Sequence, residues 1–331
     1  MIPTFNQSKF IVRAIESALN QTYPNLEIVV SDDCSTDTTY EIIKKYSDSI
    51  KDTRLKVFQN KSNIGRLRNY SETLEKKITG DWVINLDGDD FFINDGFISE
   101  AISVVQNKPS VVLIYGNYVE YFIDTQKKIE QLNLGVPQFM NREKFFDLFA
   151  NGKILWNHNS ILYKRNMALE VGFYWHINKA MNDWESFLRL IIAGKNVAYI
   201  NKNSAAWVQH DNNITQKVNI EKYLNNFELI EGVADFANQN SMQKDFINRW
   251  KKLMLIRSAK NSCIAFVKNK QIILMFKFLY RAKSLNLNAR IRLLFNLGLW
   301  IRFFGSLNPN LYRFLKGLKY KYKLKMINEK K

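Results

Sequence analysis

The sequence has few of the residues on which several common binding sites depend. Its 331 residues include 13 glycines, and no two of them form a G-x-G pair, so the Rossmann dinucleotide fingerprint is absent. The G-x-x-x-x-G-K-[ST] phosphate loop and the H-E-x-x-H motif are also absent. Three histidines and two distant cysteines cannot form a zinc cluster. Two cysteines are also too few for a disulfide framework, which is typical of a protein in the reducing cytosol.

Long apolar segments are missing as well. No stretch reaches the roughly 18 uninterrupted apolar residues of a spanning helix. The first residues, "MIPTFNQSKF", do not show a basic segment followed by an apolar one, so we predict no secretory signal there. Because 46% of the residues are hydrophobic, the chain can nevertheless bury a core for one large domain or two smaller ones.

Acidic residues are almost absent from the C-terminal quarter of the chain. Residues 251–331 hold 20 Lys and Arg against one acid, Glu329, a balance of +19 within a net charge of +17. The first 250 residues, with 28 basic and 30 acidic side chains, are close to neutral. This asymmetry indicates a neutral globular body with a basic appendage that meets an anionic partner.

Helical periodicity and short β-branched runs alternate over the first two thirds of the chain. Such alternation, with continuously apolar strands, predicts an α/β fold whose parallel sheet is covered on both faces. Only Met1 and Ile2 precede Pro3, so we expect the first strand to be truncated. After about residue 216 the pattern is helical. The predicted helices span 8–21, 36–46, 65–78 and 96–106, and the predicted strands span 26–32, 54–59, 81–87 and 110–116.

Two clusters of acids follow predicted strands, namely Asp32-Asp33 and the segment Asp87-Gly88-Asp89-Asp90. In parallel α/β sheets, ligands bind beyond the carboxyl ends of the strands. Clustered carboxylates repel one another, so a positive partner is expected to compensate them. Oxygen ligands of this kind suit a hard cation such as Mg²⁺ or Mn²⁺ that bridges to substrate phosphates.

Six segments follow one another in order along the first two thirds of the chain. They are "IPTFN" (2–6), "NQTYPNLEIVVSDDCSTD" (20–37), "NKSNIGRLRN" (60–69), "GDWVINLDGDD" (80–90), "VGFYWHINKAMNDWESFLRLIIAGKNVAYI" (171–200) and "WVQHDNNIT" (207–215). Taken together and at this spacing, they resemble a family 2 glycosyltransferase of the bacterial surface-polysaccharide type. The resemblance implies an inverting, nucleotide-sugar-dependent enzyme with the GT-A fold, and it runs from residue 2 to about residue 215.

The resemblance also implies roles for individual residues on the donor side. Asp33 would accept the N3–H of uracil, and Arg68 would lie near the nucleotide phosphates. The base pocket would be lined by Pro3, Thr4 and Asp32.

Further roles follow for the metal and the chemistry. Asp87 and Asp89 form the D-x-D pair, with Asp89 as a direct ligand of Mn²⁺ or Mg²⁺ and Asp87 nearer the ribose or sugar. His210 would touch the metal or the diphosphate. Asp183 would act as the general base that deprotonates the acceptor hydroxyl. The acceptor side is assigned to Trp184 and to Glu185, which is also the alternative base.

Each assignment has a structural alternative. Asp87–Asp90 could form a solvated turn, and Asp183 could serve only as the N-cap of the following helix. His210 could be purely structural, and His158 and His176 are interpreted as structural. The family commonly has glycine where Cys34 stands and an acid where Asn182 stands, so the chain departs from the family pattern at two positions, and neither departure removes a catalytic group.

The basic C-terminal quarter predicts a membrane-associating region. Between residues 288 and 325, aromatic and leucine side chains fall on helical faces flanked by Lys and Arg, as in helices that lie in a membrane interface. A helical bundle with a solvated basic rim is the alternative. A nucleic-acid partner would explain the charge but not the aromatics, so none is expected.

The sequence therefore predicts a GT-A catalytic domain at 1–215 and a helical basic region at 216–331. The predicted function is transfer of a sugar, from a UDP-sugar in particular, to a lipid-linked cell-surface glycan. The predicted location is the cytoplasmic face of the membrane, with peripheral attachment. A catalytically silent scaffold in a polysaccharide assembly complex and a basic nucleic-acid-binding protein are the rival hypotheses.

Overall fold

The computed structural model describes residues 1–174, 183–210, 219–296 and 298–300. The chain forms two compact units. The first comprises Met1–Ile214 and Asp235–Met242, and the second comprises Thr215–Ala234 and Gln243–Lys331. The sequence placed one boundary at about residue 215, and the return of Asp235–Met242 to the first unit was not anticipated.

The first unit begins with a small parallel sheet. Its strands are β1 (Ile2–Thr4), β2 (Ile28–Asp32) and β3 (Leu55–Gln59), in the order β1-β2-β3. Ile2 pairs with Val30, and Ile28 pairs with Leu55. The intervening helices are α1 (Ile11–Leu19), α2 (Thr39–Ile50) and α3 (Arg66–Lys76). Every residue of β2 is buried, which explains its continuous apolar sequence.

A second, mixed sheet follows. Its strands are β4 (Trp82–Ile84), β5 (Phe91–Phe92), β6 (Val111–Phe122), β7 (Lys127–Gln131), β8 (Phe139–Asn141), β9 (Ile161–Lys164) and β10 (Asn196–Gln209). They have the order β4-β9-β6-β10-β5, with β7 paired to β6 and β8 paired to β10. Only β6 and β10 are parallel among the described pairs of this sheet. Met1 connects the two sheets, since its amino group donates to Ile84 O at 2.8 Å and its carbonyl accepts from Leu86 N at 3.0 Å.

The predicted Rossmann-like, mostly parallel sheet therefore describes the first sheet, whereas the second sheet is mixed. The strand β9 lies antiparallel between β4 and β6, with Val83 opposite Tyr163 and Ile114 opposite Leu162. Residues 161–163 are buried, like those of a central parallel strand. A continuous apolar run indicates that a strand is buried on both faces, but it does not indicate the direction of the strand. The sequence analysis did not predict β9.

Helices pack on the strands and complete the core of the first unit. They are α4 (Phe97–Asn107), α5 (Arg142–Ala150), α6 (Arg165–Glu170) and α7 (Trp184–Gly194), with a 3₁₀ turn at His158–Ser160. On α1, Ile11, Ala14 and Ile15 are fully buried at the i, i+3, i+4 spacing of an amphipathic helix. This packing fixes the strand ends that carry the acids.

The second unit is helical in its described residues. It contains α8 (Ile220–Gln239) up to Ala234, then α9 (Lys244–Lys268), α10 (Ile272–Arg281) and α11 (Leu287–Leu294). The rings of Phe266 and Phe278 lie 5.7 Å apart and join α9 to α10. Among the described residues, no helix combines the length and hydropathy needed to cross a membrane.

Candidate active site

Asp32 closes the turn that follows β2. Its carboxylate accepts hydrogen bonds from the backbone N–H of Ser35 at 3.0 Å, from the Ser35 hydroxyl, and from Gln59 Nε2 at 3.2 Å. The residue is fully buried. The structure thus uses Asp32 to shape the wall of the predicted base pocket. Pro3 and Thr4 lie opposite, in the register Pro3 with Ser31 and Thr4 with Asp32.

Asp33 anchors a second loop at the same edge of the sheet. Its Oδ1 accepts from Asn60 Nδ2 and from Ile64 N, both at 2.9 Å, and its Oδ2 accepts from Gly65 N at 2.9 Å. Gly65 has a φ of 88°, a conformation that favours glycine, and it starts helix α3. A carboxylate has about four acceptor positions, so Asp33 retains one for a ligand N–H.

Cys34 has a left-handed backbone, with a φ of 58°. The sequence had marked this position because glycine is common there in the family. A side chain in this region costs about 1–2 kcal/mol relative to ordinary backbone. The left-handed backbone explains why glycine would suit this position. Cysteine is held there because the hydrogen bonds of Asp32 and Asp33, described above, fix the turn that contains it.

The second acid cluster forms a tight turn after β4. Asp90 N donates to Asp87 O at 3.0 Å. A Cβ atom at Gly88 would lie 2.5 Å from Thr4 Oγ1 and 3.2 Å from Ile11 Cδ1, so only glycine fits against β1 and α1 here. The D-G-D sequence thus combines two projecting carboxylates with the close approach that places them next to the base pocket.

Asp87 lies among donors from two separate segments, helix α3 and the 3₁₀ turn. Its Oδ1 accepts from the Tyr70 hydroxyl, and its Oδ2 lies 3.4 Å from Arg66 Nη2 and 3.1 Å from His158 Nε2. Arg66 and Tyr70 are one turn apart on α3, and the guanidinium stands 5.0 Å from the centre of the Tyr70 ring. Helix α3 and the 3₁₀ turn therefore deliver positive charge to the D-x-D segment.

Asp183 shares the same two cations. It occupies the N-cap position of α7, yet its side chain makes no capping hydrogen bond. Instead Oδ1 lies 3.4 Å from Arg66 Nη1, and Oδ2 lies 3.3 Å from Arg66 Nη2 and 3.2 Å from His158 Nδ1. The alternative in which Asp183 acts only as a helix cap is therefore wrong, because its carboxylate points into the acidic cluster.

The electrostatics of this group follow from burial and pairing. Burial alone would lower the pKa of His158, but the charge of Asp87 and the hydrogen bonds to Asp183 and Asp87 raise it to about 10. Burial would raise the pKa of Asp183, but Arg66 and His158 lower it to about 2. Burial likewise opposes ionisation of Asp87, yet Arg66 and His158 hold its pKa far below the usual range. His158 is therefore an imidazolium at neutral pH, between two carboxylates.

Asp89 and His210 form a separate pair. His210 Nε2 lies 2.9 Å from Asp89 Oδ2, and its ring stacks on Phe10 with centroids 4.9 Å apart. Arg13 donates to the backbone carbonyl of Asp89 at 3.2 Å. Burial and the charge of Asp87 raise the pKa of Asp89, so its carboxylate is the less well compensated member of the D-x-D pair. A bound divalent cation would supply the missing charge.

Two sets of side chains could hold a metal ion. Asp87, Asp90 and His158 offer ligand atoms within 4.8 Å of one another. In that set, however, the pKa of His158 is raised, so a metal ion would have to displace its proton. Asp90 is buried and already accepts from Val208 N at 2.8 Å and Asn159 Nδ2 at 3.0 Å. The pair of Asp89 and His210 fits a divalent cation better.

Arg66 and His158 are the site residues that sequence reasoning missed. Arg68, which the sequence placed near the phosphates, has a 64% exposed side chain and pairs with Glu72 at 2.8 Å. Arg66, two positions earlier, faces the acids with 26% of its side chain exposed. His158 was interpreted as structural. Its signal was the polar "NHNS" turn immediately before a buried run, since such strand-end turns are where sites gather.

The residues assigned to the acceptor side lie at the start of α7. Trp184 is half-buried, and Glu185 is buried with Oε1 3.0 Å from Arg189 Nε. Glu185 therefore belongs to an ion pair along α7. His176 and Asn182 lie outside the described residues. Trp156 packs in an aromatic cluster with Phe145 and Phe149, at 5.2 Å from each ring centre.

Comparison with known proteins gives a family and a fold. The family model described as glycosyl transferase family 2 matches residues 1–173. An uncharacterised glycosyltransferase of Haemophilus influenzae is 35% identical over 142 residues, which are 40% of this chain and 55% of that protein. The UDP-Glc:α-D-GlcNAc-diphosphoundecaprenol β-1,3-glucosyltransferase WfaP of Escherichia coli is 36% identical over 120 residues, which are 36% of this chain and 44% of WfaP. The chain thus spans about half the length of these relatives.

The poly(ribitol-phosphate) β-N-acetylglucosaminyltransferase TarS of Staphylococcus aureus matches in sequence and in structure. It is 32% identical over 146 residues, which are 43% of this chain and 23% of TarS. The crystal structure of TarS 1–349 with UDP-GlcNAc superposes with a TM-score of 0.66, covering 97% of this chain and 90% of that one at 16% identity. The mannosyltransferase PcManGT of Pyrobaculum calidifontis, with GDP-Man and Mn²⁺, gives a TM-score of 0.55 at 14% identity, with 93% and 86% covered. The predicted GT-A fold is confirmed.

Proposed function

Because the chain belongs to glycosyl transferase family 2, we propose that it transfers a sugar from a nucleotide-sugar, with inversion, to a hydroxyl group of a growing cell-surface glycan. The observation that carries this proposal is the convergence of Asp87 and Asp183 on Arg66 and His158, with all contacts within 3.4 Å. This arrangement combines two carboxylates for sugar and acceptor with two cations for a diphosphate.

A UDP-sugar is the proposed donor. The loop held by Asp33 leaves one acceptor position for the N3–H of uracil, beside Pro3, Thr4 and Asp32. Support also comes from TarS, whose structure contains UDP-GlcNAc, and from WfaP, whose name specifies UDP-Glc. The diphosphate would meet Arg66 and not Arg68, because Arg66 is the arginine that faces the acids.

The residues present fit a divalent metal ion, Mn²⁺ or Mg²⁺. Asp89 and His210 would hold it, as an oxygen and a nitrogen donor 2.9 Å apart, at the carboxylate whose pKa burial and Asp87 raise. When bound, such an ion neutralises the negative charge that develops on a diphosphate leaving group. The PcManGT complex, with the same fold, contains Mn²⁺.

Asp183 is the proposed general base. It would take the proton of the acceptor hydroxyl while that oxygen forms its bond to the anomeric carbon and the bond from this carbon to the diphosphate oxygen breaks. A pKa of about 2 makes Asp183 a weak base while Arg66 and His158 pair with it. A bound diphosphate competes for the same two cations, so donor binding would raise the basicity of Asp183 at the moment it is required.

The acceptor and location are proposed from the second unit and from the relatives. The +19 balance of residues 251–331 suits an anionic membrane surface, and WfaP acts on a diphosphoundecaprenol-linked sugar by its name. We therefore assign a lipid-linked glycan as acceptor and peripheral attachment at the cytoplasmic face of the membrane. Trp184 remains the proposed acceptor contact, with Glu185 supporting the start of α7 through Arg189.

Isothermal titration calorimetry of UDP, with and without Mn²⁺, tests the donor site. We expect binding that strengthens at least tenfold with Mn²⁺ in the wild type and loses this dependence in Asp89→Ala. Asp48→Ala, an exposed aspartate on α2, is the matched control and should bind like the wild type. Arg66→Gln should weaken binding by about tenfold, while Arg68→Gln should have little effect.

A folded wild type that binds no UDP would overturn the UDP assignment, and the same titration would then be repeated with GDP, dTDP and CMP. Metal-independent UDP binding that persists in Asp89→Ala would instead overturn the metal assignment alone. If Arg68→Gln weakens binding and Arg66→Gln does not, the sequence-based choice of Arg68 is restored.

A further inference from the structure

Large apolar side chains are exposed on α10 and α11 far more often than elsewhere in the described part of the chain. Of the 13 exposed large hydrophobic side chains, six lie between residues 273 and 295. They form what we name the 273–295 face, which consists of Ile273, Phe276, Tyr280, Leu287, Ile291 and Phe295. A cluster of this kind marks an interaction surface, whereas single exposed apolar residues require no explanation.

On α10, the exposed apolar residues form a stripe of their own. Ile273, Phe276 and Tyr280 follow the i, i+3, i+7 spacing of one helical face, and Tyr280 is 82% exposed. The opposite face of the same helix is buried, and its Phe278 ring lies 5.7 Å from Phe266 and 5.8 Å from Phe227. The helix is therefore apolar on two sides, and its neighbours within the second unit cover only one of them.

Helix α11 repeats the pattern. Leu287, Ile291 and Phe295 follow an i, i+4, i+8 spacing and are 65%, 41% and 81% exposed, while Leu293 is buried. Together, the two stripes contain three exposed aromatic rings, those of Phe276, Tyr280 and Phe295. Aromatic side chains with an apolar body are the type that enters the boundary between lipid headgroups and acyl chains.

The charges within the segment that carries the face are of one sign. Lys277, Lys283 and Arg292 are exposed beside the apolar residues. No Asp or Glu occurs in the sequence between residues 246 and 328. Arg281 is paired with Glu221 at 2.6 Å and is not counted among the available cations. An anionic partner can therefore approach the face without meeting a negative side chain of this segment.

We propose that the 273–295 face docks on an anionic lipid membrane, with the aromatic and aliphatic side chains in the interface and the flanking Lys and Arg on the headgroups. This assignment deepens the membrane attachment of the proposed function and depends on it. A nucleic acid would satisfy the positive charge but would leave Ile273, Phe276 and Phe295 in water. A lipid surface accepts both the charge and the apolar side chains, and residues 301–331, also basic, would add to the attraction.

Vesicle flotation of the full chain tests this face directly. Vesicles of phosphatidylcholine alone are compared with vesicles containing 30% phosphatidylglycerol, at about 100 mM salt, where surface charges still act over ~10 Å. We expect the wild type to bind the anionic vesicles at least tenfold better. The variant Phe276→Ser/Tyr280→Ser/Phe295→Ser should lose at least tenfold of that binding. The variant Lys277→Gln/Lys283→Gln/Arg292→Gln should lose a smaller part of the binding and part of the salt dependence, because the basic residues 301–331 remain. The matched control, Leu132→Ser/Leu134→Ser/Phe139→Ser, changes three exposed apolar residues of the first unit and should bind like the wild type.

The possible outcomes test the 273–295 face, membrane attachment and the transferase proposal separately. If the wild type floats with anionic vesicles and the serine variant floats equally, the 273–295 face is overturned while membrane attachment stands. If the wild type binds neither vesicle but binds UDP, membrane attachment and the face both fail and the transferase proposal stands. If light scattering gives a wild-type dimer that the serine variant converts to monomer, a second copy of the chain covers the face and the lipid assignment is overturned. Circular dichroism and UDP binding establish that each variant is folded.

Discussion

The two acid clusters follow strands β2 and β4 of the same fold, but they are compensated by different means. Asp33 after β2 accepts from the amide of Asn60 and from the backbone N–H groups of Ile64 and Gly65. Asp87 after β4 faces the charged side chains Arg66 and His158. Uncharged donors that belong to the fold shape a fixed pocket, whereas side-chain cations can be shared with an anionic substrate. The first cluster therefore builds the binding wall, and the second is suited to the chemistry.

The largest expected effect tests whether Asp183 acts as the general base beside the second cluster. Asp183→Asn should lower kcat by about 10³-fold, because a positioned general base contributes roughly 10²- to 10⁴-fold. UDP binding should be retained, since the carboxylate competes with the diphosphate for Arg66 and His158. Turnover is measured as UDP released from a UDP-sugar in the presence of a glycan acceptor. Asp147→Asn, on α5, is the control, and a variant that retains more than a tenth of wild-type kcat would contradict the assignment.

The next effect concerns pH and stability. The pKa of His158 is about 10 in the folded protein against 6.5 for the ordinary group. A raised folded pKa means that this contribution to stability is fully present below pH 6.5 and is lost as the pH rises towards 10. We expect the wild type to lose on the order of a few kcal/mol more than His158→Gln between these limits. Urea unfolding at pH 6, 8 and 10 measures this, and parallel pH profiles for the two proteins would show that His158 carries no such charge.

A third comparison substitutes one acid of each cluster by asparagine. Asp33→Asn should destabilise the protein by about 2 kcal/mol, because Ile64 N and Gly65 N donate to different carboxylate oxygens and the amide places an NH₂ group against one of them. Asp89→Asn should leave stability unchanged or raise it, because burial and Asp87 already disfavour its charged form. Unfolding in urea at pH 7 measures both. Equal destabilisation by the two variants would remove the distinction between a structural cluster and a chemical one.

The smallest effect concerns the turn beside the first cluster. Cys34→Gly should raise the free energy of unfolding by about 0.5–1 kcal/mol, because a φ of 58° strains a residue with a Cβ atom, and glycine's greater freedom in the unfolded state offsets part of the gain. Cys34→Ala removes the thiol but retains the Cβ atom, so it should give no such gain. A stabilisation by both variants would point to the thiol and not to the backbone.

Much of the fold was readable from the sequence because burial and periodicity act locally. The strand at 26–32 and the helix at 96–106 were predicted to within two residues of their observed bounds, since each carries its own apolar pattern. The direction of β9 was not readable, because a short buried run looks the same in either orientation. The acids of the site could be predicted, because their position at strand ends depends only on the local sequence.

The cations of the site show more clearly what could not be predicted from the sequence. Arg66 and Arg68 stand two residues apart on α3, and no sequence pattern distinguishes them. At 3.6 residues per turn they point about 160° apart, so packing places one against the acids and the other beside Glu72. The sequence by itself determined the family, the α/β alternation, the strand-end acids and the basic C-terminal quarter, because composition and local spacing encode them. Only the tertiary structure decided that Arg66 and His158 neutralise Asp87 and Asp183, because these partners lie up to 117 residues apart and meet through packing alone.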